Sequence, residues 1–143
     1  MNRTDFQQLA DLRLQEARAL YAAGFPDGAY YLAGYAIESG LKACIAKRTQ
    51  QYDFPDKKLV NDSHSHDLGK LLELAGLSDL LKNDVASNVE LKLDWVTVRD
   101  WSEQSRYELF EGDPINGLVE AGLLIDAVES KKGGVLRWIR QSW

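Results

Sequence analysis

Gly28-Ala29-Tyr30-Tyr31-Leu32-Ala33-Gly34-Tyr35-Ala36-Ile37-Glu38-Ser39-Gly40-Leu41-Lys42-Ala43-Cys44-Ile45-Ala46 is the stretch on which the fold turns. It is rich in alanine and glycine and poor in β-branched residues, a composition ill suited to a strand. Each glycine would cost about 1 kcal/mol in an exposed helix. The composition makes sense if Ala33, Gly34, Ala36, Ile37, Gly40 and Cys44 let neighbouring helices approach closely. The stretch therefore predicts one long buried helix, Asp27 to Arg48, with Pro26 in its opening turn. About 22 residues at 1.5 Å rise give about 33 Å, enough to cross a small domain.

Outward from that helix the pattern stays helical. Thr4 to Ala23 carries Phe6, Leu9, Leu12, Ala17, Leu20 and Tyr21 at spacings that fit one amphipathic face. Gly24 follows as its C′ residue. Downstream, Thr49 to Ser65 reads as a long loop containing Pro55, Asn61, Asp62 and Ser63. Asp67 to Leu74 predicts a short helix with Ser65 or His66 near its cap and Gly76 at its end. Leu77 to Leu81 begins another short segment. Asn88 to Trp101 predicts a helix from Val89, Leu93 and Val96, with Ser87 as N-cap; its β-branched content argues for a strand. Asp113 and Pro114 restart the chain as N-cap and first helical residue. The last helix, with Leu118, Ala121, Ile125, Val128, Val135 and Ile139, keeps its apolar phase through Gly133-Gly134, which predicts one kinked helix. The expected fold is a single all-α domain over residues 1–143, an up-and-down bundle of four to five helices.

Composition narrows the function classes. Hydrophobic residues make up 45% of the 143, which argues against disorder. No apolar run reaches the length of a membrane span, and no apolar h-region follows the charged N-terminus, so a cytoplasmic protein is expected. A net charge of −5 speaks against a generic nucleic-acid coat. Basic residues fall only in small groups: Lys47-Arg48, Lys57-Lys58, Lys131-Lys132, Arg137 and Arg140. One cysteine, Cys44, and two histidines are too few soft ligands for a closed zinc site, so neither metal nor cofactor is expected. Gly-rich phosphate loops and G-x-S-x-G elbows do not occur.

The polar groups inside apolar segments carry the remaining information. Glu38 lies in the middle of the small-residue helix, with Lys42 four residues on, a spacing that supports a helical ion pair. A carboxylate there needs a partner if it is buried. Two readings stand: a structural carboxylate at the bundle seam, or one that orients an arginine from another helix. The candidate arginine is Arg106, next to Tyr107, where a guanidinium beside an aromatic suits phosphate capture. The plainer alternative for Arg106 is a salt bridge that ties down a loop. His64 and His66, in Asp62-Ser63-His64-Ser65-His66-Asp67, superficially resemble a metal patch. The plainer reading is a solvated surface, with a capping role for the Ser65-His66-Asp67 stretch.

Taken in order, several elements resemble a HEPN domain, the small helical domain of higher eukaryotes and prokaryotes. Gly28 to Ala43 is similar to its second helix. His66-Asp67-Leu68-Gly69-Lys70-Leu71-Leu72 resembles its H-D-L-x-x-L element. Trp95, Trp101 and Arg106-Tyr107 resemble its W…W…RY segment, and Val135-Leu136-x-Trp138-Ile139 its closing helix. The resemblance implies a helical bundle, often a homodimer. It also implies kinship with metal-independent ribonuclease toxins paired with a nucleotidyltransferase-like antitoxin. Their signature is an arginine followed after four to six residues by histidine. Here Glu111, Gly112 and Asp113 stand where that histidine belongs. Metal-free RNA cleavage needs an acid–base group near neutrality, and an unperturbed carboxylate is a poor acid there.

The leading expectation is thus a non-catalytic module that binds a nucleotide, RNA or another phosphate-bearing ligand. Glu38, Lys42, His66, Arg106 and Tyr107 would form its site, with Glu38 positioning Arg106. A second is a ribonuclease in which His66 replaces the missing histidine and acts with Arg106. A third is a ligand-free dimer or adaptor, with four tryptophans and six tyrosines as anchor material.

Overall fold

A computed structural model describes residues 1–49, 53, 54, 56–110 and 113–143 of the chain, without the side chain at position 114. The described residues form α-helices and one 3-10 turn, with no strand: α1 (Arg3–Ala22), α2 (Pro26–Arg48), α3 (Lys57–Asp62), α4 (Leu68–Leu74), α5 (Ser78–Ser87), α6 (Val89–Arg99), the 3-10 turn (Glu103–Tyr107), α7 (Pro114–Val128) and α8 (Val135–Arg140). The all-α bundle expected from the sequence is what the chain forms. None of these helices is long and apolar enough to cross a membrane.

α2 is the axis. Ala29, Ala33, Gly34, Ala36, Ile37, Glu38, Ser39, Gly40, Leu41, Ala43, Cys44 and Ile45 are buried. α1 packs along it more extensively than any other pair of elements, presenting Ala10, Leu14 and Ala17. The face expected for α1 included Leu12 and Tyr21, which are exposed instead. Two alanines and Leu14 line the seam from α1, and small side chains on both helices permit close approach. α1 is opened by a capping box: the Asn2 side chain accepts from the Asp5 N–H at 2.9 Å, and the Asp5 carboxylate accepts from the Asn2 N–H at 2.8 Å. Gly24, at φ 85°, supplies the left-handed turn into Pro26.

Two further faces of α2 are covered through its glycines. A Cβ at Gly34 would collide with the buried Trp101 indole. At Gly40 a Cβ would lie 3.0 Å from Leu136 and 3.3 Å from Ile139, both on α8. α8 is therefore seated on the C-terminal half of α2. Cys44 lies under it, and burial pushes its thiol up to about 11, so it packs as a small hydrophobe.

Several local expectations are corrected. The 49–65 loop contains α3, capped by Asp56, whose side chain accepts from the Lys58 N–H; Pro55 lies outside the described residues. The cap of α4 is Asp67, not Ser65 or His66; its carboxylate accepts from the Lys70 N–H. The cap of α6 is Asn88, not Ser87, because the Asn88 side chain reaches the Leu91 N–H at 3.0 Å. α6 is a helix, but it buries Leu91 and Val98. The expected face is turned outward, with Val89 70% and Leu93 62% exposed.

The terminal segment is two helices rather than one. Gly134 sits at φ 121°, and a Cβ there would lie 2.5 Å from the Val128 carbonyl oxygen. The chain folds back on the end of α7, a path open to glycine alone, so the helix cannot continue. Arg137 clamps this turn by donating to the Ser130 and Lys131 carbonyls. The Trp138 indole N–H donates to Asp84 at 2.8 Å and ties α8 to α5.

Gly34→Ala should destabilise the chain by about 2 kcal/mol in urea denaturation, because overpacking against Trp101 outweighs the helix propensity gained. Gly133→Ala is the control: a Cβ there meets nothing within 4 Å, and stability should hold or rise slightly.

Candidate functional site

The site grows from Glu38, a carboxylate only 1% exposed in the middle of α2. Burial of an unpaired carboxylate would be costly, and Glu38 is not unpaired. Lys42 Nζ, one turn on, donates to Glu38 Oε1 at 2.8 Å. The i,i+4 spacing anticipated this contact. The second partner comes from the segment before α4: His66 Nδ1 lies 3.0 Å from both Glu38 oxygens. His66 is placed there by the Asp67 cap, which starts α4 on its next residue, and by Leu68, which is buried.

His66 faces a second carboxylate. Its Nε2 lies 3.1 Å from Glu103 Oε2 on the 3-10 turn. The ring thus sits between a buried carboxylate on α2 and a half-exposed one on the 3-10 turn. Nδ1 is turned inward to Glu38 and Nε2 outward to Glu103, so the buried carboxylate fixes the orientation of the ring.

An aromatic platform holds the 3-10 turn beside this pair. Tyr35 and Trp101 meet edge to face at 6.0 Å, Tyr31 and Tyr35 lie 5.2 Å apart, and the Tyr35 ring lies 6.3 Å from His66. Burial, and then the negative charge of Glu38, push the Tyr35 hydroxyl up to about 12, so it stays neutral and can donate. The indole N–H of Trp101 is buried without a hydrogen-bond partner among the described residues.

Arg106 lies elsewhere than expected. It does not reach Glu38, whose carboxylate is held by Lys42 and His66. The Arg106 guanidinium is exposed, stacks over the Tyr107 ring at 4.5 Å and donates to the Tyr107 hydroxyl. Slight desolvation works against its charge, but the tyrosine hydroxyls of Tyr107 and Tyr31 outweigh it and hold it above its ordinary value. Of the five expected site residues, Glu38, Lys42 and His66 form one cluster and Arg106 and Tyr107 a second, on either side of Tyr31, Tyr35 and Trp101. Sequence reasoning missed Glu103, Tyr31 and Tyr35. Glu103 stands three residues before Arg106, and Tyr31 and Tyr35 one helical turn apart, but nothing local connects them to His66.

His64 is exposed and takes no part. Among the described residues no group of three His, Cys, Asp or Glu side chains could hold a metal ion. Glu111 and Gly112, two of the positions where the ribonuclease histidine would stand, lie outside the described residues; Asp113 caps α7 by accepting from the Asn116 N–H. No family model, curated protein or solved structure matches the chain.

The geometry ranks the contributions to stability. Glu38→Ala strands Lys42 and His66 and should cost about 2 to 4 kcal/mol. His66→Ala, which leaves the Lys42 contact, should cost about 1 kcal/mol. Glu103→Ala, at the surface, should cost less than about 1 kcal/mol. Chemical denaturation of the three variants checks the order; an equal cost for Glu103→Ala and Glu38→Ala would contradict it.

Proposed function

We propose that this chain is a HEPN-type module that binds a nucleotide, RNA or another phosphate-bearing ligand through Arg106 and Tyr107. The observation that carries the reading is the state of Arg106. Its guanidinium is exposed and, among the described residues, has no carboxylate within ion-pair reach; its partners are the hydroxyl and ring face of Tyr107. A planar donor set held over an aromatic ring and left open to solvent suits phosphate, which it can grip with two parallel hydrogen bonds. The adjacent Tyr31 and Tyr35 offer surface against which a base can stack. The overall charge of −5 restricts such binding to this local patch.

A second reading is metal-independent RNA cleavage, and one observation favours it. Glu38 orients His66 with Nε2 outward, the geometry a general base requires. His66 would then take the 2′-hydroxyl proton while Arg106 neutralises the phosphate. The nucleotidyltransferase-like antitoxin belongs with this reading as its partner. Against it stands Glu103, which occupies the outer face of the ring and must move aside before RNA can reach it.

Isothermal titration with ATP, GTP and short RNA tests the binding reading. At least one should bind, and Arg106→Ala should weaken it about tenfold or more, the loss expected for a charged, bidentate contact. Unchanged affinity in Arg106→Ala would reject the site. Incubation of RNA with the protein in EDTA separates the second reading. Cleavage that disappears in His66→Ala supports it, and intact RNA at high protein concentration rejects it.

A further inference from the structure

A cavity of about 290 Å³ opens between the start of α2, the 3-10 turn and α7. Its volume is near the lower end of the range for small-molecule sites, roughly 300 to 1,000 Å³. Tyr30 and Phe110 form an aromatic corner, with their rings edge to face at 5.7 Å. Three carboxylates line it: Asp27, Glu108 and Glu120. No described residue that lines it is basic. Asp27 is engaged, since its Oδ1 accepts from the Phe110 N–H at 3.0 Å and so fixes the corner. Glu108 and Glu120 are exposed at the mouth and enter no ion pair among the described residues.

Ser105 also forms part of the wall. It is 8% exposed, and its hydroxyl is buried with no hydrogen-bond partner among the described residues. A buried hydroxyl left unmatched costs free energy, and a native structure tolerates it where something else supplies the partner. The negative character of the cavity registers on Tyr30. Burial first, then the charges of Glu120, Asp100 and Glu108, hold its hydroxyl above the ordinary value.

We propose that this cavity binds a small primary ammonium compound with a short apolar or aromatic body. The ammonium supplies three donors and no acceptor, which matches the carboxylates of Glu108 and Glu120 and leaves one donor for the Ser105 hydroxyl oxygen. The body packs on Tyr30 and Phe110, whose ring faces also attract a cation. An anionic ligand of the same shape meets three carboxylates and is repelled. The site is separate from the phosphate site at Arg106 and does not depend on it.

Phenethylammonium and 3-phenylpropionate share a body and differ in the sign of the head group, so they make the test. Titration of the full chain, followed by calorimetry or saturation-transfer NMR, should show saturable binding of phenethylammonium and none of 3-phenylpropionate. The Glu108→Gln/Glu120→Gln double variant changes only rim residues and should weaken the amine about tenfold or more. Ser105→Ala should weaken it by a smaller factor, and Arg106→Ala should leave it unchanged. No phenethylammonium binding at millimolar concentration overturns the proposal. So does equal binding of the carboxylate, or an unchanged affinity in the double variant. Loss of amine binding in Arg106→Ala would place the ligand at the other site and equally overturn it.

Discussion

The absence of side chains at two positions of α2 governs the rest of the structure. Gly34 lets the Trp101 indole lie directly on the helix backbone, and Gly40 does the same for Leu136 and Ile139. Glycine inside a helix is unfavourable by about 1 kcal/mol against alanine. Here the loss is offset by burial of an indole and of two large aliphatic side chains, each worth roughly 1.5 to 3 kcal/mol. Trp101 in turn fixes the 3-10 turn, and with it Glu103, Ser105 and Arg106. The polar chemistry of the molecule is thus positioned by a packing contact in which no polar atom takes part.

Electrostatics add specificity to that frame. A buried carboxylate at Glu38 is tolerable because Lys42 and His66 converge on it from two directions. Lys42 comes from the same helix and His66 from a segment 28 residues away. The second contact therefore couples the docking of α4 to the correct placement of α2. Removing the carboxylate would free both partners at once, whereas an apolar core at this point would leave α4 without a charge to locate it. His66 also carries the polarity of the core outward to Glu103. The ring links the middle of the bundle to its surface.

Three surfaces result, with different chemistry: a histidine between two carboxylates, an exposed arginine on a tyrosine, and an acidic aromatic cavity. All of them draw on the 3-10 turn, which supplies Glu103 to the first, Arg106 and Tyr107 to the second and Ser105 to the third. Consecutive side chains of a 3-10 turn point about 120° apart and residues three apart share a direction, so Ser105 faces away from the side that Glu103 and Arg106 share. This short element, and not the long helices, spreads these polar groups around the molecule.

What the sequence by itself determined is local. The small-residue composition of 28–46 is that of a buried helix, the Glu38–Lys42 pair follows from i,i+4 spacing, and Asp113-Pro114 starts a helix. Each of these depends on atoms within one or two turns, where hydrogen-bond geometry and periodicity are written into the chain. Tertiary structure decided the rest. Val89, Leu93 and Val96 have helical spacing, yet Leu91 and Val98 face the core, because which stripe of a helix is buried depends on what packs against it. The apolar phase runs through Gly133-Gly134, yet the chain turns there, because seating α8 on Gly40 requires it to fold back on α7. Arg106 was the natural partner for Glu38 by charge alone. His66 takes that place because the Asp67 cap and buried Leu68 deliver it to α2, while Trp101 holds the segment of Arg106 against a different face. Attraction between opposite charges is legible in a sequence; the distance between them is set by the packing of the elements that carry them.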